Sequence, residues 1–309
     1  MSLAFVFPGQ GAQTIGMGRE LAAAYPAARA VFDEVDDALG EALSALIWEG
    51  DIAALTLTAN AQPALMATSL AALRALEAEG FALTDAAFVA GHSLGEYSAL
   101  AAAGSLTIAD TARLLRIRGT AMQSAVPVGV GAMAALLGLD FATATEVAAE
   151  AAQGEVCQAA NDNDPAQVVV SGHKAAVERA LDLAKARGAK RAILLPVSAP
   201  FHCALMQPAA EAMAAALAGV ALRAPMVPLV ANVRAEAVSD PETLRALLVE
   251  QVTGSVRWRE SVAWMVAQGV DTFREIGAGK ALSGMIKRIH REAVTQAVGT
   301  PADIAALKG

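Results

Sequence analysis

The chain has 309 residues, of which 55% are hydrophobic and 17% are charged, and its formal net charge is −8. A chain of this length and apolar content can bury a large core, which excludes an intrinsically disordered protein. The negative net charge argues against a nucleic-acid-binding protein. The longest uncharged stretch, residues 52–73, contains Asn60, Gln62 and Pro63, so it does not predict a membrane-spanning helix.

The cysteine content and the N-terminal segment both predict a cytoplasmic protein. Cys157 and Cys203 are its two cysteines, which are too few for a disulfide framework or a thiolate metal site. The first residues have no basic region before their short apolar run, and Pro8 and Gly9 end that run at strand length. We therefore expect no signal peptide.

Short β-forming runs alternate with long segments rich in alanine, leucine and charged residues, which predicts an α/β protein with a mainly parallel sheet. The predicted strands of this sheet are residues 3–7, 86–90, 227–230, 270–275 and 293–297. The predicted helices around it are residues 19–39, 63–79, 96–103, 108–123, 205–218, 243–252 and 281–289.

The middle of the chain predicts a second, smaller unit. Its elements follow the order βαββαβ, which is the split-βαβ or ferredoxin-like arrangement. The predicted elements are strands 130–139, 156–160, 168–171 and 191–196, helices 143–153 and 174–187, and a turn at 161–165. We expect residues 127–197 to form this subdomain, inserted into one larger domain made of residues 1–126 and 198–309.

Residues 91–95, GHSLG, form a G-x-S-x-G pattern between a predicted strand and a predicted helix. A sharp strand-to-helix turn of this kind is the geometry of a nucleophile elbow, and the two glycines allow it. Ser93 would then stand at the helix N-terminus, where free N–H groups favour developing negative charge. The alternative is an ordinary turn in which Ser93 caps the helix.

A serine nucleophile needs a base, and His202 is the best candidate among four histidines. It lies in a loop after a predicted strand, where catalytic groups are common. The alternative is a histidine packed in that loop. Most acidic residues between Ser93 and His202 fall in predicted helices of the smaller unit, so an amide or a backbone carbonyl is expected to orient His202 instead of a carboxylate.

The glycine-rich loop at residues 7–13 follows the first predicted strand directly. Its backbone N–H groups could supply the second donor of an oxyanion hole, the first being the N–H of Leu94. The alternative is a simple turn between a strand and a helix.

Arg118 occupies a face of its predicted helix that is otherwise apolar. A buried guanidinium requires an anionic partner, because an unpaired buried charge is too costly. A bidentate bond to a substrate carboxylate would supply that partner, and so would a structural ion pair. The sequence leaves both alternatives open.

Taken together, several motifs resemble the malonyl-CoA:acyl carrier protein transacylases, the acyltransferases of bacterial type II fatty-acid synthesis. The resemblance runs along the whole chain. The motifs are FPGQGAQ at 7–13, GHSLGEYSAL at 91–100, RIRGTAMQ at 116–123, QVVVSGHK at 167–174, PVSAPFHCALM at 196–206, QVTGSVRW at 251–258 and GAGKALSGMIKRI at 277–289. The resemblance implies an α/β-hydrolase-like domain with a ferredoxin-like insertion.

The resemblance also implies roles for individual residues. Ser93 corresponds to the nucleophile that becomes a malonyl ester, and His202 to its general base and acid. The Gln10 and Leu94 amides correspond to the oxyanion hole. Gln251, chiefly through its backbone carbonyl, corresponds to the group that orients the histidine.

For the substrate, the resemblance implies that Arg118 clamps the malonyl carboxylate and that Phe201 favours malonyl over branched acyl groups. Further residues expected at the substrate site are Met122, His92, and Asn161 or Asn163. The segment NDND at 161–164 is more acidic than the family's usual turn.

The expected activity is a ping-pong transfer of malonyl from malonyl-CoA to acyl carrier protein, by a monomer without a metal or redox cofactor. Acyl carrier proteins are strongly acidic, so a net negative enzyme needs a local basic patch to dock one. The candidate docking residues are Lys190, Arg191, Lys287 and Arg288. The alternatives are a transferase of the same family serving malonate decarboxylation or polyketide synthesis, a serine esterase, and a non-catalytic subunit that docks the carrier protein.

Overall fold

The computed structural model of the chain describes residues 2–197 and 199–308. Its strands are β1 (Ser2–Phe7), β2 (Ala86–Gly91), β3 (Gly131–Leu137), β4 (Cys157–Asp164), β5 (Gln167–His173), β6 (Arg191–Leu194), β7 (Leu229–Val230), β8 (Ala237–Val238), β9 (Val270–Ile276) and β10 (Val294–Val298). The predicted domain boundary between residues 197 and 198 falls at the edge of the described residues, because Ser198 lies outside them, as do Met1 and Gly309.

The helices surround two sheets. They are α1 (Arg19–Ala24), α2 (Pro26–Leu39), α3 (Leu43–Glu49), α4 (Ile52–Thr56), α5 (Thr58–Ala78), α6 (Gly95–Ala102), α7 (Ile108–Ser124), α8 (Phe141–Ala152), α9 (Lys174–Ala186), α10 (Gln207–Ala218), α11 (Pro241–Thr253), α12 (Trp258–Ala267), α13 (Ala281–Ile289) and α14 (Pro301–Ala306). Across the described residues, each helix is either too short or too polar to traverse a lipid bilayer.

The larger sheet has six strands in the order β10-β9-β1-β2-β7-β8. All neighbouring pairs are parallel except β7 and β8, which form a short antiparallel edge. Because β1 and β2 are central and parallel, the loops after both strands open at the same edge of the sheet. This edge brings the 7–13 loop beside the GHSLG turn.

The smaller sheet is antiparallel, with strand order β4-β5-β3-β6. Its elements follow the chain as β3, α8, β4, β5, α9 and β6, so the predicted βαββαβ order is confirmed. One face of the sheet packs on α8 and α9 through a small alanine- and valine-rich core. The fold is therefore an α/β-hydrolase-like domain with a mainly parallel sheet and an inserted ferredoxin-like subdomain.

The sequence predicts one continuous helix over residues 19–39, but the structure has two helices there, α1 and α2, separated by Tyr25. Tyr25 adopts an extended conformation because the ring of Pro26 disfavours a helical residue before it. The helix predicted from residue 63 begins five residues earlier, at Thr58, with Pro63 inside its second turn. The sequence analysis does not predict the helices α3, α4, α12 and α14, each of which has ten residues or fewer.

The predicted turn at residues 161–165 is also wrong, because residues 161–164 continue strand β4. Asparagine and aspartate favour turns, but here the backbone around Val256 forms hydrogen bonds with residues 160–162 and keeps them extended. The Val256 N–H donates to the Ala160 carbonyl at 2.8 Å, and the Asp162 N–H donates to the Val256 carbonyl at 2.9 Å. The chain turns only at residues 165–166.

Strand β4 joins the two subdomains through two buried carboxylates. Arg259 of α12 donates through Nε to Asp162 at 3.0 Å, and Arg288 of α13 donates through Nε to Asp164 at 2.7 Å. The side chains of both aspartates are at most 1% exposed, whereas the two arginines are partly exposed. These ion pairs fix the smaller sheet against the larger domain.

The Asp164→Ala variant tests this connection. It should lower the free energy of unfolding by about 2 kcal/mol, because the carboxylate also accepts the Ala166 N–H and both charge-assisted bonds are lost. Urea denaturation measures the change. Asp182→Ala is the matched control, since Asp182 pairs with Lys185 at an exposed site, and it should change the value by less than about 0.5 kcal/mol. Equal changes in both variants would contradict the joining role of Asp164.

Candidate active site

The GHSLG segment forms a tight elbow between β2 and α6. Ser93 has φ of 53°, in the left-handed region that non-glycine residues rarely adopt. A Cβ atom on Gly91 would lie 1.9 Å from the Gly95 carbonyl carbon, and one on Gly95 would lie 2.2 Å from the Phe7 carbonyl oxygen. Both positions therefore require glycine, and the turn they permit holds Ser93 at the start of α6.

Ser93, His202 and Gln251 form a hydrogen-bonded chain. The Ser93 Oγ lies 2.8 Å from His202 Nε2, and His202 Nδ1 lies 2.9 Å from the Gln251 backbone oxygen. A carbonyl oxygen can only accept, so Nδ1 carries the ring proton and Nε2 presents a lone pair to the serine hydroxyl. The group that orients the histidine is thus a backbone carbonyl, as the sequence led us to expect.

His202 is poised to act as a proton acceptor. It is 4% exposed, and its φ of 58° is also left-handed. Burial, and then the neighbouring charge of Arg118, lower the pKa of His202 from its usual value near 6.5 to about 3. The imidazole is therefore neutral throughout the neutral pH range, and its Nε2 lone pair is free to take the Ser93 proton.

Arg118 lies on α7 with 1% of its surface exposed. Its Nη1 donates to the Gln62 Oε1 at 2.8 Å, while its Nη2 donates to the Gln251 Oε1 at 2.8 Å and to the Ser93 Oγ at 3.2 Å. Among the described residues, no carboxylate lies within ion-pair distance of this guanidinium, so the structural ion pair that the sequence left open is not found there. The guanidinium therefore faces Ser93 without an anionic partner among the described residues.

A cleft of about 460 Å³ leads to Ser93 between the two subdomains. It is lined by most of the predicted site residues. These are Gln10, His92, Ser93, Leu94, Arg118, Met122, Asn161, Asn163, Phe201 and His202. Gln251 stands behind this lining, where it contacts the catalytic histidine and the arginine.

Two backbone amides of the cleft have N–H groups without a described acceptor, which keeps them as the candidates for an oxyanion hole. Gln10 and Leu94 both line it, and neither N–H donates to another described residue. The Ser93 N–H is already engaged, because it donates to the Asn232 Oδ1 at 2.8 Å. The side chain of Gln10 turns toward Thr58, to which its Nε2 donates at 3.2 Å.

His92 and Asn163 connect the elbow to the smaller sheet. The His92 Nε2 lies 2.8 Å from the Asn163 Oδ1, and burial lowers the pKa of His92, so the neutral ring donates its Nε2–H to that oxygen. Asn161 and Asn163 both line the cleft, so either side chain can reach a substrate. Phe201 and Met122 are 8% and 1% exposed and form apolar wall near the buried arginine.

Three polar residues at the site were not predicted as members of it: Gln62, Glu96 and Asn232. Glu96 follows Gly95 in the GHSLGEYSAL motif and is 1% exposed, and burial raises its pKa to about 7. Its Oε1 accepts the Asn232 N–H at 3.1 Å, and its Oε2 accepts a hydrogen bond from the Gln251 Nε2. The motif offered a signal for Glu96, whereas Gln62 and Asn232 lie in no pattern that marks them.

The four candidate docking residues fall in two places. Lys190 and Arg191 stand at the start of β6, and they have no carboxylate within 4 Å among the described residues. Lys287 and Arg288 lie on α13, the helix whose residues Leu282 and Met285 line the cleft. Arg288 is partly engaged, since it binds Asp164.

The titratable residues do not form a metal site in the part of the chain that the structure describes. No group of three or more histidine, cysteine, aspartate or glutamate side chains there could hold an ion. The polar side chains that line the cleft carry hydroxyls, imidazoles, amides and a guanidinium. These groups suit covalent acyl transfer with proton transfer.

Comparison with known proteins finds relatives over nearly the whole chain. A family profile described as acyl transferase domain matches residues 4–304. The malonyl CoA-acyl carrier protein transacylase of Escherichia coli (strain K12) is 48% identical over 303 residues, which cover 98% of this chain and 97% of that protein.

Two solved structures have the same architecture. The acyl-carrier-protein-S-malonyltransferase from Bartonella henselae superposes with a TM-score of 0.97 and 57% identity, covering 99% of this chain and 98% of that one. A malonyl-transacylase in complex with its type II PKS acyl-carrier protein superposes with a TM-score of 0.95 and 44% identity, again covering 99% of this chain and 98% of that one.

Proposed function

The chain belongs to the acyl transferase family, and we propose that it transfers malonyl from malonyl-CoA to the phosphopantetheine thiol of acyl carrier protein. One observation carries this proposal beyond family membership. The Ser93 Oγ lies within hydrogen-bond distance of both a neutral histidine and a buried guanidinium that has no carboxylate partner among the described residues. A nucleophile beside such a cation favours an acyl group that carries its own carboxylate.

In the first half-reaction, His202 Nε2 takes the Ser93 hydroxyl proton while Oγ attacks the thioester carbonyl of malonyl-CoA. The carbonyl oxygen becomes an oxyanion, which the N–H groups of Gln10 and Leu94 stabilise. When this intermediate collapses, the C–S bond breaks and His202 gives its proton to the departing CoA thiolate. The product is a malonyl ester on Ser93.

In the second half-reaction, the carrier's phosphopantetheine thiol replaces CoA in the cleft. His202 takes the thiol proton, and the thiolate attacks the ester carbonyl. The C–O bond to Ser93 breaks, and His202 returns the proton to the serine oxygen. The ester is exchanged for a thioester, and the enzyme ends in its starting protonation state without a cofactor.

Gln251 supports both steps from outside the cleft. Its backbone oxygen keeps the proton of His202 on Nδ1, and it stabilises the imidazolium that forms transiently. A serine esterase would use water for the second step, and the uncompensated Arg118 favours a carboxylate-bearing acyl group over a simple ester.

We include the fatty-acid synthesis pathway, the cytoplasmic location and the monomeric state in this proposal. The support for the pathway is the likeness to the transacylases named above, although a relative that serves a type II PKS carrier performs the same named transfer. The buried cysteines Cys157 and Cys203 are free thiols, which is consistent with a reducing compartment.

Incubation with malonyl-CoA should place one malonyl ester on Ser93. Mass spectrometry of the intact protein and of its peptides detects the added malonyl group and assigns it. Ser93→Ala should carry none, because among residues 2–197 and 199–308 Ser93 supplies the hydroxyl that is hydrogen-bonded to His202. A stable malonyl adduct on that variant would move the nucleophile elsewhere. CoA release that is equally fast with and without carrier protein would instead indicate a hydrolase.

Arg118→Ala should change acyl selectivity. We expect kcat/KM for malonyl-CoA to fall ~100-fold more than kcat/KM for acetyl-CoA, because a charge-assisted pair of about 3 kcal/mol is lost only with malonyl. Steady-state kinetics with both thioesters measures the difference. Arg113→Ala removes an exposed arginine of the same helix and should leave both values within about threefold. An equal loss for the two substrates would refute the carboxylate clamp.

The carrier protein is proposed to dock on Lys190, Arg191, Lys287 and Arg288. Residues 195–197, which continue from β6, line the cleft, so Arg191 lies about 13 Å of extended chain from its wall. On the other side, Met285 of α13 lines the cleft and Lys287 and Arg288 follow it. An acidic partner that covers the mouth of the cleft would therefore meet basic side chains from both elements.

Lys190→Glu and Arg191→Glu test the docking surface most cleanly, because Arg288→Glu would also break the contact with Asp164. We expect KM for carrier protein to rise ~10-fold, with a steep dependence on salt, while ester formation on Ser93 from malonyl-CoA stays unchanged. Arg29→Glu, an exposed charge reversal on α2, is the control. Equal losses in both half-reactions would mean that these residues bind CoA or support the fold.

A further inference from the structure

Glu96 is a buried carboxylate to which the proposed reaction assigns no role. It lies in the first turn of α6, and none of the described residues forms an ion pair with it. Its hydrogen bonds go only to two neutral groups, the Asn232 N–H and the Gln251 side-chain amide. The charge of Arg118 acts on Glu96 from a distance, across the Gln251 amide, without contacting it. Burying a carboxylate without a cation in contact is costly, so a well-packed neutral residue would be expected here if only packing mattered.

Asn232, the first partner of Glu96, holds the strained elbow. Its Oδ1 accepts the Ser93 N–H at 2.8 Å, and its Nδ2 donates to the Gly91 carbonyl at 2.7 Å. It thus ties both sides of the turn that keeps Ser93 at positive φ. Because Glu96 accepts the backbone N–H of Asn232, it fixes the backbone position from which the Asn232 side chain holds the turn.

Gln251, the second partner, has a side chain whose orientation matters. Its Nε2 donates to Glu96 and, at 3.0 Å, to the Ser93 carbonyl, while its Oε1 accepts from Arg118. A carboxylate can only accept, so it requires the NH₂ group of the amide on its own side. The amide oxygen must then face Arg118. The reverse orientation would set an NH₂ group against the guanidinium.

We propose that Glu96 is a positioning residue, which fixes the amide orientation of Gln251 and the place of Asn232 and thereby keeps Ser93, His202 and Arg118 in register for acyl transfer. This inference rests on the proposed malonyl transfer. It concerns a group that touches neither the substrate nor the nucleophile's hydroxyl. The role requires a carboxylate, which accepts hydrogen bonds and donates none. A neutral side chain of the same size would not meet this requirement.

Two substitutions separate charge from size. Glu96→Gln keeps the size, but its NH₂ group must face either the Asn232 N–H or the Gln251 NH₂ group. Glu96→Asp is one methylene shorter but remains a pure acceptor. The positioning role predicts that the shorter acid retains more activity than the isosteric amide. A role in packing predicts the opposite order, because glutamine fills the same space.

The readout is the rate of malonyl-ester formation on Ser93, measured by rapid quench and mass spectrometry at pH 8. Because burial raises the pKa of Glu96 to about 7, its carboxyl group is mostly ionised at pH 8 and becomes mostly protonated when the pH falls below 7. We expect Glu96→Gln to slow ester formation ~100-fold and Glu96→Asp ~10-fold, since displacement of catalytic groups by about 1 Å has effects of this size. Urea unfolding should show a cooperative transition near the wild-type midpoint for both variants.

Glu242→Gln is the matched control. Glu242 also lies in the first turn of a helix, α11, but it is exposed, and its variant should match the wild type. Ester formation by Glu96→Gln at or above the rate of Glu96→Asp would overturn the proposal. If Glu96→Gln does not fold, Glu96→Asp alone decides, since a loss beyond a hundredfold would also overturn it. Absence of ester on the wild-type protein would instead refute the proposed function.

Discussion

Arg118 carries a positive charge where almost no water reaches it, and the arrangement of the site follows from that charge. An unpaired ion in a protein interior is strongly unfavourable. The side-chain amide oxygens of Gln62 and Gln251 accept hydrogen bonds from the guanidinium. Glu96 lies behind the Gln251 amide, and no described carboxylate contacts the guanidinium. The site is therefore electrostatically incomplete until an anionic acyl group enters. In the proposed reaction an acetyl group would leave that deficit in place, which is the proposed basis of selectivity for malonyl.

The same charge acts on the base. Arg118 adds to the effect of burial in lowering the pKa of His202, which keeps the imidazole neutral and ready to accept a proton. The imidazolium becomes favourable only when negative charge develops on the substrate beside it. Gln251 contacts both groups, His202 through its backbone and Arg118 through its side chain. In the proposed reaction, Gln251 therefore couples the histidine that takes the proton to the arginine that binds the acyl carboxylate.

The parts of the site that the sequence could predict are those with a local signal. The glycine spacing around Ser93 predicts the elbow, because the steric contacts that require glycine there are made close to the turn itself. His202 could be selected because the sequence has only four histidines. Asn232 and Gln62 could not be found in this way, because their contacts join residues 139 and 56 positions apart. For the same reason the sequence predicts a turn at residues 161–165, since the segment at Val256 that makes residues 161–164 part of a strand is distant in sequence.

Strand β4 shows why this segment alternates amides with acids. Asn161 and Asn163 line the cleft, whereas Asp162 and Asp164 bind the arginines of the larger domain. The strand reaches this arrangement with register shifts between Ala159 and Asn161 and between Asp162 and Asp164. A shift by one residue would exchange the two sets. It would bring carboxylates into the cleft, where they would compete with the acyl carboxylate for the buried guanidinium. The alternation therefore both joins the subdomains and keeps the cleft free of negative charge.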